Sequence, residues 1–397
     1  MTSKLLYFIT TVVLVINVSL LQILSPSAQG IPATTQNSHI STSMSRNTQK
    51  SHPANNYHTN AENWQGQLLL SDVIGKPVSK ADVERFRRDA RLGIPGAEFD
   101  LGYAYYCGDG VPKDPAKGVY WWKRSAAHGY APAENNLGCA YHTGRGIAKN
   151  LEKAILWIRR AAWQGNIKAE YGLGSFYYKG QGVVRDYGRA VKWWAKAAHR
   201  GEIDAQCRLG EAYYLGRGLP KNFMLALYWW RKATADNCGP AEADLGILYI
   251  QGQGVPRDFV KAREWFRKAA KRGDAAGENN MGVLYSRGLG VRKNYHKAVN
   301  WYRLAALQRY PEALSNLGNM YFYGRGVHHD IKRAIYWWRK GAAHDSSAAM
   351  RHLANCLLRG VGVPVDRKHG LALLQEAAAK GDVKAQTEYA AIVHTKK

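Results

Sequence analysis

The chain has 397 residues, of which 46% are hydrophobic and 11% aromatic, with 40 Gly, 13 Pro and a formal net charge of +26. That much apolar and aromatic surface supports a continuous core and excludes a disordered or collagen-like chain. Five cysteines, an odd number at five unrelated repeat positions, exclude a regular disulfide staple.

Residues 1–30 place Lys4 before an apolar run from Leu5 to Leu24 and end in the small residues Ser25-Pro26-Ser27-Ala28-Gln29-Gly30. This pattern predicts a signal peptide and hence a periplasmic or secreted chain. Left uncleaved, the same run is long enough to anchor the chain in a membrane. Residues 31–80, rich in Ser, Thr, Asn, Gln and His, bury too little apolar surface to offset chain entropy and are expected to form a disordered polar linker. His39, His52 and His58 in that segment lack the spacing of a metal site.

From residue 81 onward one period runs unbroken. Gly102, Gly138, Gly174, Gly210, Gly246, Gly282, Gly318, Ala354 and Ala390 recur every 36 residues. With that residue as position zero, position −1 is Leu or Met and position +3 is Tyr in seven of eight units. Positions +6 and +8 are Gly in all eight units, as a loop with left-handed backbone needs, so a first helix ends there. Position +12 alternates between Asp and Asn, from Asp114 and Asn150 to Asp366. Either side chain can cap a helix N-terminus, whereas a general acid could not be exchanged for an amide. A second helix follows, small at +16 and rich in Trp. Eleven of the thirteen Trp fall at +19 or +20, a ladder expected to interdigitate in the core. Cys107 with Cys139 and Cys207 with Cys238 are the conceivable disulfide pairs, with buried free thiols as the alternative.

The succession L-G-x-x-Y, G-x-G-V-x-x-D and K-A-x-x-W-x-x-x-A-A-x-x-G, nearly intact from Gly174 to Ala205, resembles the Sel1-like repeat, a relative of the tetratricopeptide repeat. The likeness spans about residues 81–397, eight units plus terminal half repeats, with departures such as Leu357 and Leu373-Leu374 in the last unit, as a capping repeat would have. The resemblance implies an all-α, right-handed α-solenoid of helix-turn-helix units that serves as a protein-protein interaction scaffold or regulator. A cysteine-rich branch of the family is associated with β-lactam binding or hydrolysis, but it carries one disulfide per repeat and this chain does not.

Function is expected on a surface rather than in a pocket. With −5, −1 and +3 forming the core stripe of each first helix, −2 and +1 point away from it, and these positions vary. Asp100, Tyr103, Asn136, Arg208, Glu211, Asp244, Asn280, Asn316 and Asn319 are therefore the candidate partner-binding residues, lining the concave face. A second expectation comes from charge. Bases recur at +11, +21 and +22 with few acids to balance them, a surface suited to an acidic protein or to an anionic envelope component such as lipid, polysaccharide or cell wall. Glu98, Glu134, Glu170, Glu242 and Glu278 are expected to complement the dipole at the start of each first helix. No nucleic acid is expected, because neither a basic helix-turn-helix nor a stacking platform is evident. Catalytic residues, cofactors and metal ligands are not expected either: G-x-S-x-G, H-E-x-x-H and S-x-x-K are all absent, and the His328-His329, His344, His352 group reads as a surface feature.

Overall fold

The computed structural model describes residues 78–394. The signal or anchor expected over 1–30 and nearly all of the linker expected over 31–80 lie outside them. Eighteen helices and no strands occur among the described residues. They are α1 (Lys80–Arg91), α2 (Pro95–Cys107), α3 (Pro115–Ala127), α4 (Ala131–Thr143), α5 (Leu151–Trp163) and α6 (Ile167–Lys179). Then come α7 (Tyr187–His199), α8 (Ile203–Leu215), α9 (Phe223–Ala235), α10 (Gly239–Gln251), α11 (Phe259–Lys271) and α12 (Ala275–Arg287). The series closes with α13 (Tyr295–Leu307), α14 (Pro311–Tyr323), α15 (Ile331–Ala343), α16 (Ser347–Arg359), α17 (Arg367–Ala379) and α18 (Val383–His394). Even-numbered helices are the first helices of the units and odd-numbered ones the second. Each packs chiefly on its neighbours in sequence, which makes the fold an α-solenoid.

The loop inside each unit is built from backbone chemistry. Every first helix from α2 to α16 ends on the +6 glycine in the left-handed region, φ +85° at Gly108 and +67° at Gly180. The +12 backbone N–H then donates to the carbonyl of the +3 residue, at 2.7 Å for Asp114 to Tyr105 and 2.9 Å for Asp258 to Tyr249. The +12 side chain caps the second helix in all eight units, for example Asn150 Oδ1 accepting from Lys153 N at 2.9 Å. These residues are caps, as the Asp/Asn alternation implied.

The core lies between the two helices of each unit. The zero glycine is fixed by its partner at +20: a Cβ on Gly174 would stand 2.5 Å from Trp194 Cδ1 and 3.0 Å from the Ala190 carbonyl oxygen. Position +20 is buried throughout, as Trp122, Ile158, Trp194, Trp230, Phe266, Tyr302, Trp338 and Leu374. The indole N–H of Trp122, Trp230 and Trp338 donates to the carbonyl at −3 of the same unit, at 3.2 to 3.3 Å. The expected Trp ladder is therefore two ladders. Position +20 is core, whereas +19 is half-buried in Trp121, Trp157, Trp193, Trp265, Trp301 and Trp337 and buried only in Trp229.

Candidate functional site

The −2/+1 row lies where successive first helices approach one another; α10 touches α12, and α14 touches α16. Its members fall into two groups. Arg208, Glu211 and Asp244 are inward-facing. Arg208 Nη1 donates to Glu211 Oε2 at 3.1 Å, the Glu211 residue is 7% exposed and Asp244 5%. Burial pushes the Glu211 carboxyl up against the pull of Arg208, and Tyr178, which accepts from Arg217, lies beside it. A buried pair of this kind costs its desolvation and is held by geometry, so its first consequence is packing between α6 and α8.

The remaining row members are half-buried and closer to solvent. Burial raises the Asp100 carboxyl to about 6, against the pull of Arg85. Tyr103 packs on Phe99 and Trp122 with ring centroids 6.1 and 6.3 Å apart. Asn136 Oδ1 accepts from Asn135 at 3.2 Å, and Asn316 Nδ2 donates to Asn279 Oδ1 at 3.0 Å across α12 and α14. Asn280 and Asn319 complete the group. Two buried acceptors on this side, Asn135 Oδ1 and Asn319 Oδ1, have no hydrogen-bond partner among the described residues.

The glutamates at −4 stand in the first turns of the first helices, where the sequence placed them, and they are also buried. Glu98, Glu134 and Glu170 are 0% exposed and, besides facing the dipole, serve as internal anchors for the second helix. Arg124, Arg160 and Lys196, all at +22, reach them at 2.9 Å. Residues at +26 add further donors: Gln164 to Glu134 at 2.7 Å, Arg272 to Glu242 at 3.0 Å and Gln308 to Glu278 at 2.8 Å. Spacing in sequence could not show this, because the partner comes from the other helix and from two positions.

The basic ladders are correspondingly occupied. Bases at +22 lie over the +19 indoles, with Arg124, Arg160 and Lys268 at 5.0, 4.8 and 4.2 Å from the rings of Trp121, Trp157 and Trp265. Lys221 and Lys293 at +11 stand 4.9 Å from the rings of Phe223 and Tyr295. Arg231 and Arg303 at +21 donate to the hydroxyls of Tyr249 and Tyr321 at 3.2 Å. Such contacts draw on the ring quadrupole and leave the guanidinium or ammonium partly solvated. All five cysteines are free thiols, and Cys207 and Cys238, one of the two conceivable pairs, share a hydrogen bond. Among the described residues no group of His, Cys, Asp and Glu converges as a metal site, and no helix is long and apolar enough to cross a membrane.

The Sel1 repeat model matches eight consecutive units, 95–130, 131–166, 167–202, 203–238, 239–274, 275–310, 311–346 and 347–382. The chain belongs to the Sel1 repeat family. Its repeats are similar to those of c5321, a protective antigen present in uropathogenic Escherichia coli strains, at 31% identity over 79% of this chain and 67% of that one, with a TM-score of 0.57. A Sel1 repeat protein from Oxalobacter formigenes is also 31% identical, over 62% of this chain and 96% of its own, with a TM-score of 0.54. No curated protein matches the chain. Sel1 repeat solenoids are in general protein-protein interaction scaffolds, and that general role is what the match supports here.

Proposed function

We propose that this chain is an exported, non-catalytic scaffold that binds a protein partner through the concave, first-helix face of its Sel1 repeats. The observation that carries the reading is the row of half-buried asparagines on that face, Asn136, Asn280, Asn316 and Asn319, in which Asn319 Oδ1 has no hydrogen-bond partner among the described residues. An acceptor without a donor is costly, and turning the half-buried Asn319 amide outward to a partner's N–H would relieve that cost. Asn136, Asn280, Asn316 and Asn319, half-buried, are the row members within a partner's reach, while Arg208 and Glu211 hold the face in shape. The reading of export rests on the signal-like residues 1–30 and implies a partner in the periplasm or outside the cell.

A second reading, a basic module that binds anionic envelope lipid, polysaccharide or cell wall, is favoured by the net charge and by Lys123, Arg159, Arg267 and Arg339, exposed bases at +21. The engagement of many other bases with rings and buried glutamates weighs against it. Hydrolysis of β-lactams ranks last, and a nitrocefin assay on the purified chain tests it.

The deciding experiment is a crosslinking capture from the native envelope with the purified chain, in low and high salt, beside a variant with Asn136, Asn280 and Asn319 changed to Ala. Capture of one protein in both salts, lost with the variant, is the expected result. Recovery of anionic lipid or glycan alone, released by salt from both forms, overturns the proposal, as does a protein captured equally by the variant.

A further inference from the structure

Trp163 stands outside both Trp ladders. It occupies +25 of the second unit, where other units carry Ala127, His199, Ala235, Lys271, Leu307, Ala343 and Ala379. No core requirement calls for Trp there, and the side chain is 73% exposed on the last turn of α5. Its indole meets that of Trp193 on α7 edge to face, with centroids 5.9 Å apart and planes at 78°.

These two rings, with Arg159, Leu173, Tyr177 and Arg189, line a cleft of about 370 Å³ between α5 and α7 and above α6. The floor is apolar, since Leu173 and Tyr177 are buried. Its rim is cationic: Arg159 is exposed, and the Arg189 guanidinium stands 5.6 Å from the Tyr177 ring while its Nε holds Asp186 at 3.3 Å. Aromatic walls over an apolar floor accept a ring, and two guanidiniums at the mouth favour negative charge on either side of it. A hydroxyl-rich sugar fits less well, because the Tyr177 hydroxyl is the sole neutral side-chain acceptor among the six lining residues and sugar O–H donors would go unmet. Trp, Tyr and Arg are also the residue types that dominate protein-protein hot spots.

We propose that the cleft between Trp163 and Trp193 is a docking pocket for an aromatic side chain flanked by carboxylates on a partner protein. The proposal rests on the reading of this chain as a protein-binding scaffold. It places a second contact on the second-helix side, away from the asparagine row.

The test titrates three capped peptides into the purified chain, with Asp-Phe-Asp, Asp-Ala-Asp or Asn-Phe-Asn at the centre of a Gly/Ser frame, and oligogalacturonate as an acidic glycan. Calorimetry gives affinity and the indole N–H signals of Trp163 and Trp193 report the place. The Asp-Phe-Asp peptide is expected to move both indole signals and to bind about tenfold more tightly than either control peptide. Trp163→Ala and Arg159→Gln are each expected to weaken it by about tenfold. Trp163→Ala should fold normally, because Ala stands at the same position in four other units, and its thermal melt confirms this. Unchanged peptide affinity in Trp163→Ala, no shift of either indole at millimolar Asp-Phe-Asp peptide, or binding by oligogalacturonate alone each overturns the proposal. Loss of partner capture is read separately through the asparagine variant, so a failure of the scaffold reading and a failure of this pocket give different results.

Discussion

Arg160 on α5 places its Nε 2.9 Å from Oε1 of Glu134, a carboxylate of α4 with no exposed surface. The pair ties the two helices of one unit together, and Gln164 completes it with a 2.7 Å bond to the other carboxylate oxygen. Removing the guanidinium leaves a buried carboxylate with one neutral donor. Arg160→Ala is therefore expected to destabilise the chain by about 1–3 kcal/mol, below the full cost for a dry pair because the arginine side chain is half exposed and water can reach its place. Glu134→Gln, which needs no counter-charge, should cost less. Urea unfolding of the two variants checks the order; a larger loss for Glu134→Gln would contradict this account.

Gly174 and Trp194 show why position zero is glycine in seven units. A methyl group on Gly174 would overlap the indole at 2.5 Å, and in a close-packed interior neither helix can retreat freely. Gly174→Ala is expected to cost about 1–3 kcal/mol despite the better helix propensity of Ala. The last unit supplies the counterpart, with Ala354 opposite Leu374 instead of Trp. Adding Trp194→Leu to Gly174→Ala should therefore recover part of the loss, a coupling that a double-mutant cycle measures. Simple additivity would show that the ring is not what excludes the methyl.

Much of this architecture was legible in the sequence because each signal repeats eight times and is local. The +6 glycine, the +12 cap and the zero glycine act within one loop or one helix pair, so self-alignment alone exposes them. What escaped were relations between helices. Sequence could not tell that Trp122 is core and Trp121 half-exposed, since neighbours at +19 and +20 differ by only 100° of helix turn. Glu134 was legible as a charge at a helix start, but its burial was not, since that depends on Arg160 and Gln164 arriving from the next helix. In the candidate row, Asn280 and Asp244 hold the same position in successive units, yet the first is half-buried and the second buried. The cleft at Trp163 left one trace, a Trp off the ladder.

Cys207 on α8 and Cys238, the N-cap of α10, meet in one apolar cluster and share a hydrogen bond. Cys238 is the more exposed of the two and Cys207 is buried, which makes Cys238 the thiol that a disulfide in solution reaches first. With oxidised glutathione, the Cys238 thiolate is expected to attack the reagent's disulfide and expel one glutathione thiolate. Cys207 then loses its proton, attacks the mixed disulfide and expels the second, leaving a Cys207–Cys238 bond. Mass spectrometry of an unreduced digest should find that linkage with Cys107, Cys139 and Cys356 still as thiols. A stable glutathione adduct on Cys238 would show that the two sulfurs cannot reach bonding geometry.

His352 on α16 stacks on Trp338, centroids 5.0 Å apart and planes at 16°. Burial, with Arg351 nearby, lowers its pKa to about 4 although Asp382 opposes the shift. A depressed histidine takes up its proton in the unfolded chain first, near the ordinary histidine value of 6.5. Its contribution is thus fully present above about pH 6.5 and is lost as the pH falls to about 4, by an amount on the order of 2–3 kcal/mol. Asp100 works in the opposite sense, because its raised carboxyl binds a proton more readily when folded, so stability from that group grows as the pH falls through about 6. Comparison with His352→Phe, which keeps a ring on Trp338 and cannot titrate, removes the Asp100 effect from the difference. The variant should gain on the parent steadily between pH 6.5 and 4 in denaturant titrations. A constant difference across that window would mean that His352 is as easily protonated in the fold as out of it.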